Sequence, residues 1–446
     1  MTDDVTPGPR SRSRAPLSRR AFLGTAGGVA GAAAVGGGVW AALARDRVDE
    51  STGASTPSTT AGPVTTTSTV APGAGASGGR ILVVVELAGG NDALNTLVPS
   101  DDRYRDRRPQ LALAENELVA LGGTDFALHP SLAALAPLWD AGTMAAVAGC
   151  GMPQQSRSHF KAMETWWTAA PEATTRTGWL GRWLDATLEG DDDPLRAIAL
   201  GGGSPALVGE RTRATVVRSP STFTLRTLPG ADHDALVAAF LATSAPPSSV
   251  AEIAAAQTAI PSALSAVELL ESVAGGGDEE LGLAPDGGNT VTSLLQTAAG
   301  IIDLDIGTRV FTVGIGGFDT HANQLDAHAA LLADVGDGIA AFLARLEADG
   351  NADRVMVVTT SEFGRRVAEN GSLGTDHGQG GCQLVFGPEI AGGRVVGGYD
   401  LANLSQGDLP TVVDTRSVYS AALDWLGGPT DEILDGPHDR LGLLSA

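Results

Sequence analysis

Cysteine is nearly missing from this chain: its 446 residues include only Cys150 and Cys382. Two thiols cannot form a disulfide scaffold, nor a thiolate zinc site, which takes several ligands at close spacing. They leave two options, a single bridge after export or a pair of buried thiols. Positive charge is also scarce. Lys and Arg total 29 against 52 Asp and Glu, a net charge of −23. That balance excludes nucleic acid as a partner, because an acidic surface repels phosphate backbones. Histidine is limited to seven residues, so where each one falls is informative. A strongly apolar run of membrane-spanning length is lacking near the N-terminus. The uncharged stretch 21–44 is rich in Gly and Ala and only moderately hydrophobic.

What is present begins with a targeting pattern. Five arginines lie between Arg10 and Arg20, and Ser18-Arg19-Arg20-Ala21-Phe22-Leu23 resembles a twin-arginine export signal. Ala42-Leu43-Ala44 offers an A-x-A cleavage site. The expectation is a signal segment over 1–44 and export through the twin-arginine translocase to the cell envelope or beyond. Membrane contact is then expected only through an uncleaved signal. Residues 45–79 are Ser/Thr/Gly/Ala/Pro-rich with almost nothing to bury, and read as a disordered linker. Residues 80–446 are long enough to bury a large core as one domain.

At Arg80 the composition changes. "RILVVVEL", "TMAAVAG" (143–149), "RVFTVGI" (309–315) and "RVMVVTT" (354–360) are continuous apolar runs, as strands buried on both faces require. A helix follows the third run, with Leu325, Leu332, Ile339, Leu343 and Leu346 near helical spacing. Buried strands alternating with helices predict an α/β fold: a doubly wound, mostly parallel sheet flanked by helices. The stretch 185–300 is less regular and reads as an insertion or cap. It holds possible strands at "RAIALGG" and "RATVVRS", a helical segment over 248–273 and a loop at 275–289.

Sites in such sheets form beyond the carboxyl ends of the strands, and each of the four runs ends in a polar cluster. The first run leads to Asn91, Asp92 and Asn95. The second leads to Ser156, Ser158 and His159, the third to Asp319, His321 and Asn323, and the fourth to Ser361, Glu362 and Arg365, then Asp376 and His377. Asp319 and His321 are two apart, so an extended segment points both the same way, where they can share a divalent metal. The alternative is that Asp319 caps the next helix and His321 is structural. In "GTDHGQGG" the glycines permit close backbone approach. His377 is either a ligand or part of a plain turn, with Asp376 supporting a neighbour. Glu362, just past a buried strand, needs a partner, either the metal or Arg365. Ser158 is either a simple N-cap or a nucleophile activated by a metal at an anion-binding helix start. His159 is a ligand or a core histidine. His129 and His328 read as structural, His233 and His438 as surface residues.

Together these motifs resemble the bacterial family called domain of unknown function 1501. They are "LAGGNDALNTLVP", "RSHF", "GGFDTHANQ", "TSEFGR", "GTDHG" and "GGRVVGG". The resemblance implies membership of the alkaline-phosphatase-like superfamily, which includes sulfatases, phosphomutases and phosphodiesterases, with metal at the strand ends. It implies one metal on Asp319, His321 and His377. A second would use an early Asp, matched by Asp92, and an Asp-His pair. Here Glu362 stands for that Asp, but Phe363 stands where the His belongs. The nucleophile position falls at Ser158 or Ser156, and Asp376, Arg365 and His159 fall around the ligands.

The expected function is therefore an exported, metal-dependent hydrolase-like protein. Its substrates would be phosphate or sulfate esters, small or polymeric, and its metal a divalent ion such as Zn, Mn, Mg or Ca. The competing expectation is a non-catalytic envelope or secreted binding protein that keeps the pocket.

Overall fold

The structure, a computed structural model, describes residues 78–172, 175–190, 192–218, 232–246, 248–250, scattered positions between 253 and 268, and 289–445. The signal segment, nearly all of the linker, most of the 248–273 helical segment and nearly all of the 275–289 loop lie outside the described residues. The sheet and the site belong to one compact unit, built from the described residues within 70–246 and 258–446.

Nine strands build the main sheet: β1 (Ile81–Leu87), β2 (Met144–Gly151), β3 (Ala197–Leu200), β4 (Thr215–Val217), β5 (Val310–Ile315), β6 (Val355–Thr360), β7 (Gly381–Phe386), β8 (Arg394–Gly397) and β9 (Val413–Asp414). Their order is β8-β2-β7-β6-β1-β5-β3-β4, with β9 also paired to β2. β1 lies at the centre, parallel to both neighbours, with Val84 opposite Thr312 on β5 and Val358 on β6. β7 runs antiparallel to both β2 and β6, while the other pairings are parallel. The mostly parallel α/β sheet expected from the apolar runs is what forms. The two weak runs in 185–300 become β3 and β4, which extend one edge of this sheet.

β1, β2, β6 and β7 are buried along their whole length. Alternation along β1 sorts its side chains between two core layers. Ile81, Val83, Val85 and Leu87 pack with helices α3 (Val291–Asp303) and α4 (Gln324–Ala348). Leu82 and Val84 pack with α1 (His159–Thr168), α2 (Trp179–Ala186) and α5 (Thr415–Leu426). Helices therefore cover both faces, which is why these strands show no polar alternation. On α4 the buried stripe is Leu332, Val335, Ile339, Phe342 and Leu346; Leu325, expected in it, is exposed and Leu343 half-buried. Truncating a buried residue such as Phe342 to Ala costs about 3–5 kcal/mol.

Because β1, β2, β5 and β6 run the same way, their carboxyl ends meet at one edge of the sheet. β7 begins at that same edge, with Gly381 opposite Cys150. The segment 361–380 thus leaves the sheet and re-enters it beside the site. Both cysteines are free and buried, on the adjacent strands β2 and β7. Of the two states left open by the sequence, the thiol state is the one present. Burial pushes the Cys150 thiol well up and the Cys382 thiol to about 12, so neither is a nucleophile at neutral pH. Among the described residues no helix is long and apolar enough to cross a membrane.

Candidate metal centre

The site is built from the ends of four strands. β1 ends in Ala88-Gly89-Gly90, and both glycines adopt positive φ, +123° and +78°. A Cβ at Gly89 would lie 2.4 Å from the Asp319 backbone nitrogen, and one at Gly90 would lie 2.2 Å from the Phe363 ring. Only glycine fits, for lack of space as much as for φ. The turn aims two N–H groups at one carboxylate: Gly89 N donates to Glu362 Oε1 at 3.0 Å and Gly90 N to Oε2 at 3.1 Å. The Ser361 hydroxyl adds a bond to Oε2 at 3.2 Å.

Glu362 has one further partner. Nδ1 of His159 sits 2.9 Å from Oε1 and donates to it. That bond assigns the proton of the neutral imidazole to Nδ1 and leaves Nε2 with a lone pair. Nε2 is buried and has no hydrogen-bond partner among the described residues. It points toward Asp319, 3.5 Å from Oδ2. His377 repeats the pattern. Its Nδ1 donates to the Arg157 carbonyl at 2.7 Å, which turns a second lone-pair nitrogen toward Asp319 Oδ1, 3.0 Å away. His321 Nε2 lies 3.0 Å from the same oxygen and 2.9 Å from His377 Nε2. Its Nδ1 faces Asp376, 3.5 Å away, a carboxylate placed to favour the tautomer that would free Nε2.

His159, Asp319 and His377 each offer a ligand atom within 4.8 Å of the others, and His321 lies against Asp319 and His377 outside that trio. Three imidazoles and a carboxylate suit zinc or another divalent transition ion. The residues fit a metal for a reason internal to the protein: a buried Nε2 without a partner is costly unless something occupies it. Arg365 balances the charge. It is fully buried and donates to Asp319 Oδ1 at 2.6 Å and to the carbonyls of Gly89, Gly90, Phe318 and Thr375. Partial burial alone would raise the Asp319 pKa. The Arg365 hydrogen bond and charge outweigh it and hold the carboxyl at about 2. It is a ready anionic ligand at any physiological pH.

The glycines of "GTDHGQGG" do what their spacing suggested. A Cβ on Gly374 would lie 2.2 Å from the His321 backbone, so the loop that carries His377 lies directly against the segment that carries His321. Asp319 makes no cap for α4, whose N-cap is Asn323 in the left-handed region. Ser158 holds the N-cap position of α1, yet its hydroxyl makes no capping bond. The Ser156 hydroxyl accepts from Ser158 N at 3.2 Å. Among the described residues neither hydroxyl bonds to the four clustered side chains.

Two residues expected among the ligands are placed elsewhere. Asp92 is buried against Arg108, with Oδ2 2.6 Å from Nη1, and also accepts from Gln324. Burial pushes its pKa up, but the charge and hydrogen bond of Arg108 more than reverse this. Glu362, expected as a ligand, is held by N–H donors and bonds to His159 from behind. Arg365 pairs with Asp319 and not with Glu362. Phe363, where the resemblance calls for a histidine, is buried and packs its ring 4.9 Å from His159 and 4.7 Å from His377, bracing both imidazoles. His328 is buried, donates to Asn91 Oδ1 at 2.9 Å, and is kept neutral by burial, its pKa pushed down to about 4. His129 is buried as well and caps a turn through Ser131 N. His233 is exposed, while His438 is half-buried with Nε2 on the Leu434 carbonyl.

The sequence matches the family described as "Protein of unknown function (DUF1501)" over residues 114–442. β1 and its Gly-Gly turn lie outside that match. No curated protein matches. Among solved structures the chain is similar to an alkaline phosphatase superfamily protein from Vibrio parahaemolyticus. Identity is 10%, coverage is 82% of this chain and 70% of that one, and the TM-score is 0.39. It is also similar to the soluble domain of lipooligosaccharide phosphoethanolamine transferase A from Neisseria meningitidis (11%, 80% and 92%, 0.38). A third is the periplasmic domain of EcEptC from Escherichia coli in complex with Zn (8%, 79% and 84%, 0.37).

Proposed function

From the premise that this chain belongs to the DUF1501 family, we propose that it is a divalent-metal-dependent hydrolase acting on phosphate or sulfate esters. The observation that carries this reading is the pair of imidazoles, His159 and His377. Each has its proton tied on Nδ1 and its Nε2 turned toward Asp319. His159, Asp319 and His377, with His321, would hold the ion. Bound there, a divalent cation supplies Lewis-acid polarisation of an ester oxygen and lowers the pKa of a hydroxyl or water.

The chain's own groups do the rest. Glu362 and the Arg157 carbonyl fix the two ring orientations. Arg365 holds Asp319 in place and ionised. Phe363 shields one side of the imidazoles from water. Ser158 stands next to His159 with its hydroxyl free of capping duty, at the start of a ten-residue helix whose first N–H groups favour an anion. It is the nucleophile in this reading. We also infer export by the twin-arginine route, on the Ser18–Leu23 motif, with the ion acquired in the folded state.

The test is elemental analysis of the purified protein together with a panel of phosphate and sulfate esters. One equivalent of divalent metal is expected, lost in His159→Ala/His377→Ala, with ester turnover lost in Ser158→Ala while the metal stays. Normal folding with no metal after refolding with Zn, Mn, Mg or Ca would remove the basis of this function. Metal retention without turnover of any ester would favour a binding protein, a reading supported by the absence of a base hydrogen-bonded to Ser158.

A further inference from the structure

A cavity of about 340 Å³ opens beside the metal centre, within the size range of small-ligand sites. Gln154, Gln155, Gln379, Thr411 and Asp414 line one part of it and the apolar Met152, Pro153 and Val412 the rest. Two chain segments join it to the centre. The β2–α1 connection carries Gln155 and then His159, and the β6–β7 segment carries His377 and then Gln379. Gln155 is locked by its own bonds, donating to the Glu362 carbonyl at 2.9 Å and accepting from Met152 N at 2.8 Å. It is a wall. Asp414 caps α5 and is bridged to Arg416, so its charge is spent. The groups left free are the amides of Gln379 and Gln154 and the hydroxyl of Thr411. Thr411 Oγ1 is buried and has no partner among the described residues.

Amides and a hydroxyl each donate and accept. No unpaired cation lines the cavity, so it offers nothing to a second anion, and no unpaired carboxylate awaits an amine. Its mixed lining suits a ligand with both characters: Met152, Pro153 and Val412 can cover the C–H face of a ring while the amides and the Thr411 hydroxyl meet its polar groups. The ligand that satisfies such a set is neutral and rich in hydroxyls. We propose that this cavity is the subsite for the sugar portion of the substrate, so that the ester hydrolysed is a sugar phosphate or sugar sulfate. The inference rests on the metal-dependent ester hydrolysis proposed above.

The experiment compares the metal-loaded full-length protein with its Thr411→Val and Gln379→Leu variants. Substrates are glucose 6-sulfate and glucose 6-phosphate against 4-nitrophenyl sulfate and 4-nitrophenyl phosphate. A kcat/KM at least tenfold higher for the sugar esters is expected. Both variants should raise KM for the sugar esters tenfold or more and leave the nitrophenyl esters unchanged. Thr411→Val removes a hydroxyl without a partner, so its Tm should hold or rise, which separates lost binding from lost folding. Equal turnover of the two ester classes, or equal losses on both in the variants, would overturn the proposal. If no ester is turned over, the hydrolase reading fails, and saturation-transfer NMR with methyl glucoside and methyl galactoside decides the subsite alone. Binding that disappears in Thr411→Val supports it; binding of neither glycoside overturns it.

Discussion

Two sets of polar side chains meet at the same edge of the sheet, and they are finished differently. Around Asp319 the Nε2 atoms of His159 and His377 converge; that of His159 is buried without a hydrogen-bond partner among the described residues, and that of His377 faces Asp319 and His321. A few residues away, Asp92 and Glu362 are equally buried: Asp92 Oδ2 is held by Arg108 and Gln324 while its Oδ1 has no partner among the described residues, and Glu362 is held by two backbone N–H groups, Ser361 and His159. Phe363 adds a ring where a further ligand would have to stand. Burial alone therefore does not mark a metal ligand, nor does a single unpartnered atom, since Asp92 Oδ1 and His328 Nδ1 are buried without partners among the described residues too. What sets His159 apart is its convergence with Asp319 and His377. Under the proposed function one ion would sit among His159, Asp319 and His377, with Asp92 and Glu362 set around it.

Breaking the Asp92–Arg108 pair should produce the largest effect. Arg108→Met leaves Asp92 buried without its cation, which costs about 3–5 kcal/mol, readable by urea unfolding. An Asp92→Asn/Arg108→Met double variant should recover most of that loss. If Arg108→Met is neutral, Asp92 has another counter-ion and the case for a single ion weakens.

A buried carboxylate without a cation makes the next contrast. Among the described residues Glu86 on β1 has only the Ser204 hydroxyl as a partner, 2.6 Å away. Burial first, then the nearby Glu362 charge, push its pKa to about 7 against the Ser204 bond. The folded state thus keeps a proton that the unfolded chain gives up near pH 4.5. This contribution is full below pH 4.5 and lost as pH rises through 7. The stability of wild type relative to Glu86→Gln should fall by about 3 kcal/mol between pH 4 and pH 8. A difference that is flat with pH would place the Glu86 titration outside this window.

The smallest effect is on the centre itself. Glu362→Gln keeps the shape but weakens the bond that holds His159. Metal affinity should drop about 10- to 100-fold, the usual cost of losing a supporting partner. Competition with a chromophoric chelator would measure it. An unchanged affinity would show that His159 is oriented by Phe363 packing alone.

The central strands were legible because they are apolar without interruption. β7 was not, because Gln383 breaks its apolar run; that side chain is buried only because Thr360 on β6 accepts its amide at 2.9 Å. Asp319, His321 and His377 could be picked out because each follows a strand end. The part played by His159 could not. It depends on which nitrogen carries the proton, and that is decided by Glu362, 203 positions away. The free state of the two cysteines has the same character, since sequence counts thiols but does not orient them.

The antiparallel course of β7 has a mechanical consequence. The segment 361–380 leaves on β6 and returns on β7, and these neighbours are tied by backbone bonds such as Val358 to Val385. The sheet, not the segment, closes this loop. Its tip near Ser372 and Leu373 is exposed. Lengthening a closed loop costs only about 0.6 kcal/mol for each doubling. Entropy is not the obstacle here, but the Ser372 and Leu373 carbonyls accept from Asn323 N and Gln324 N, so extra residues spliced in at the tip would loosen the tie between the His377 loop and the start of α4.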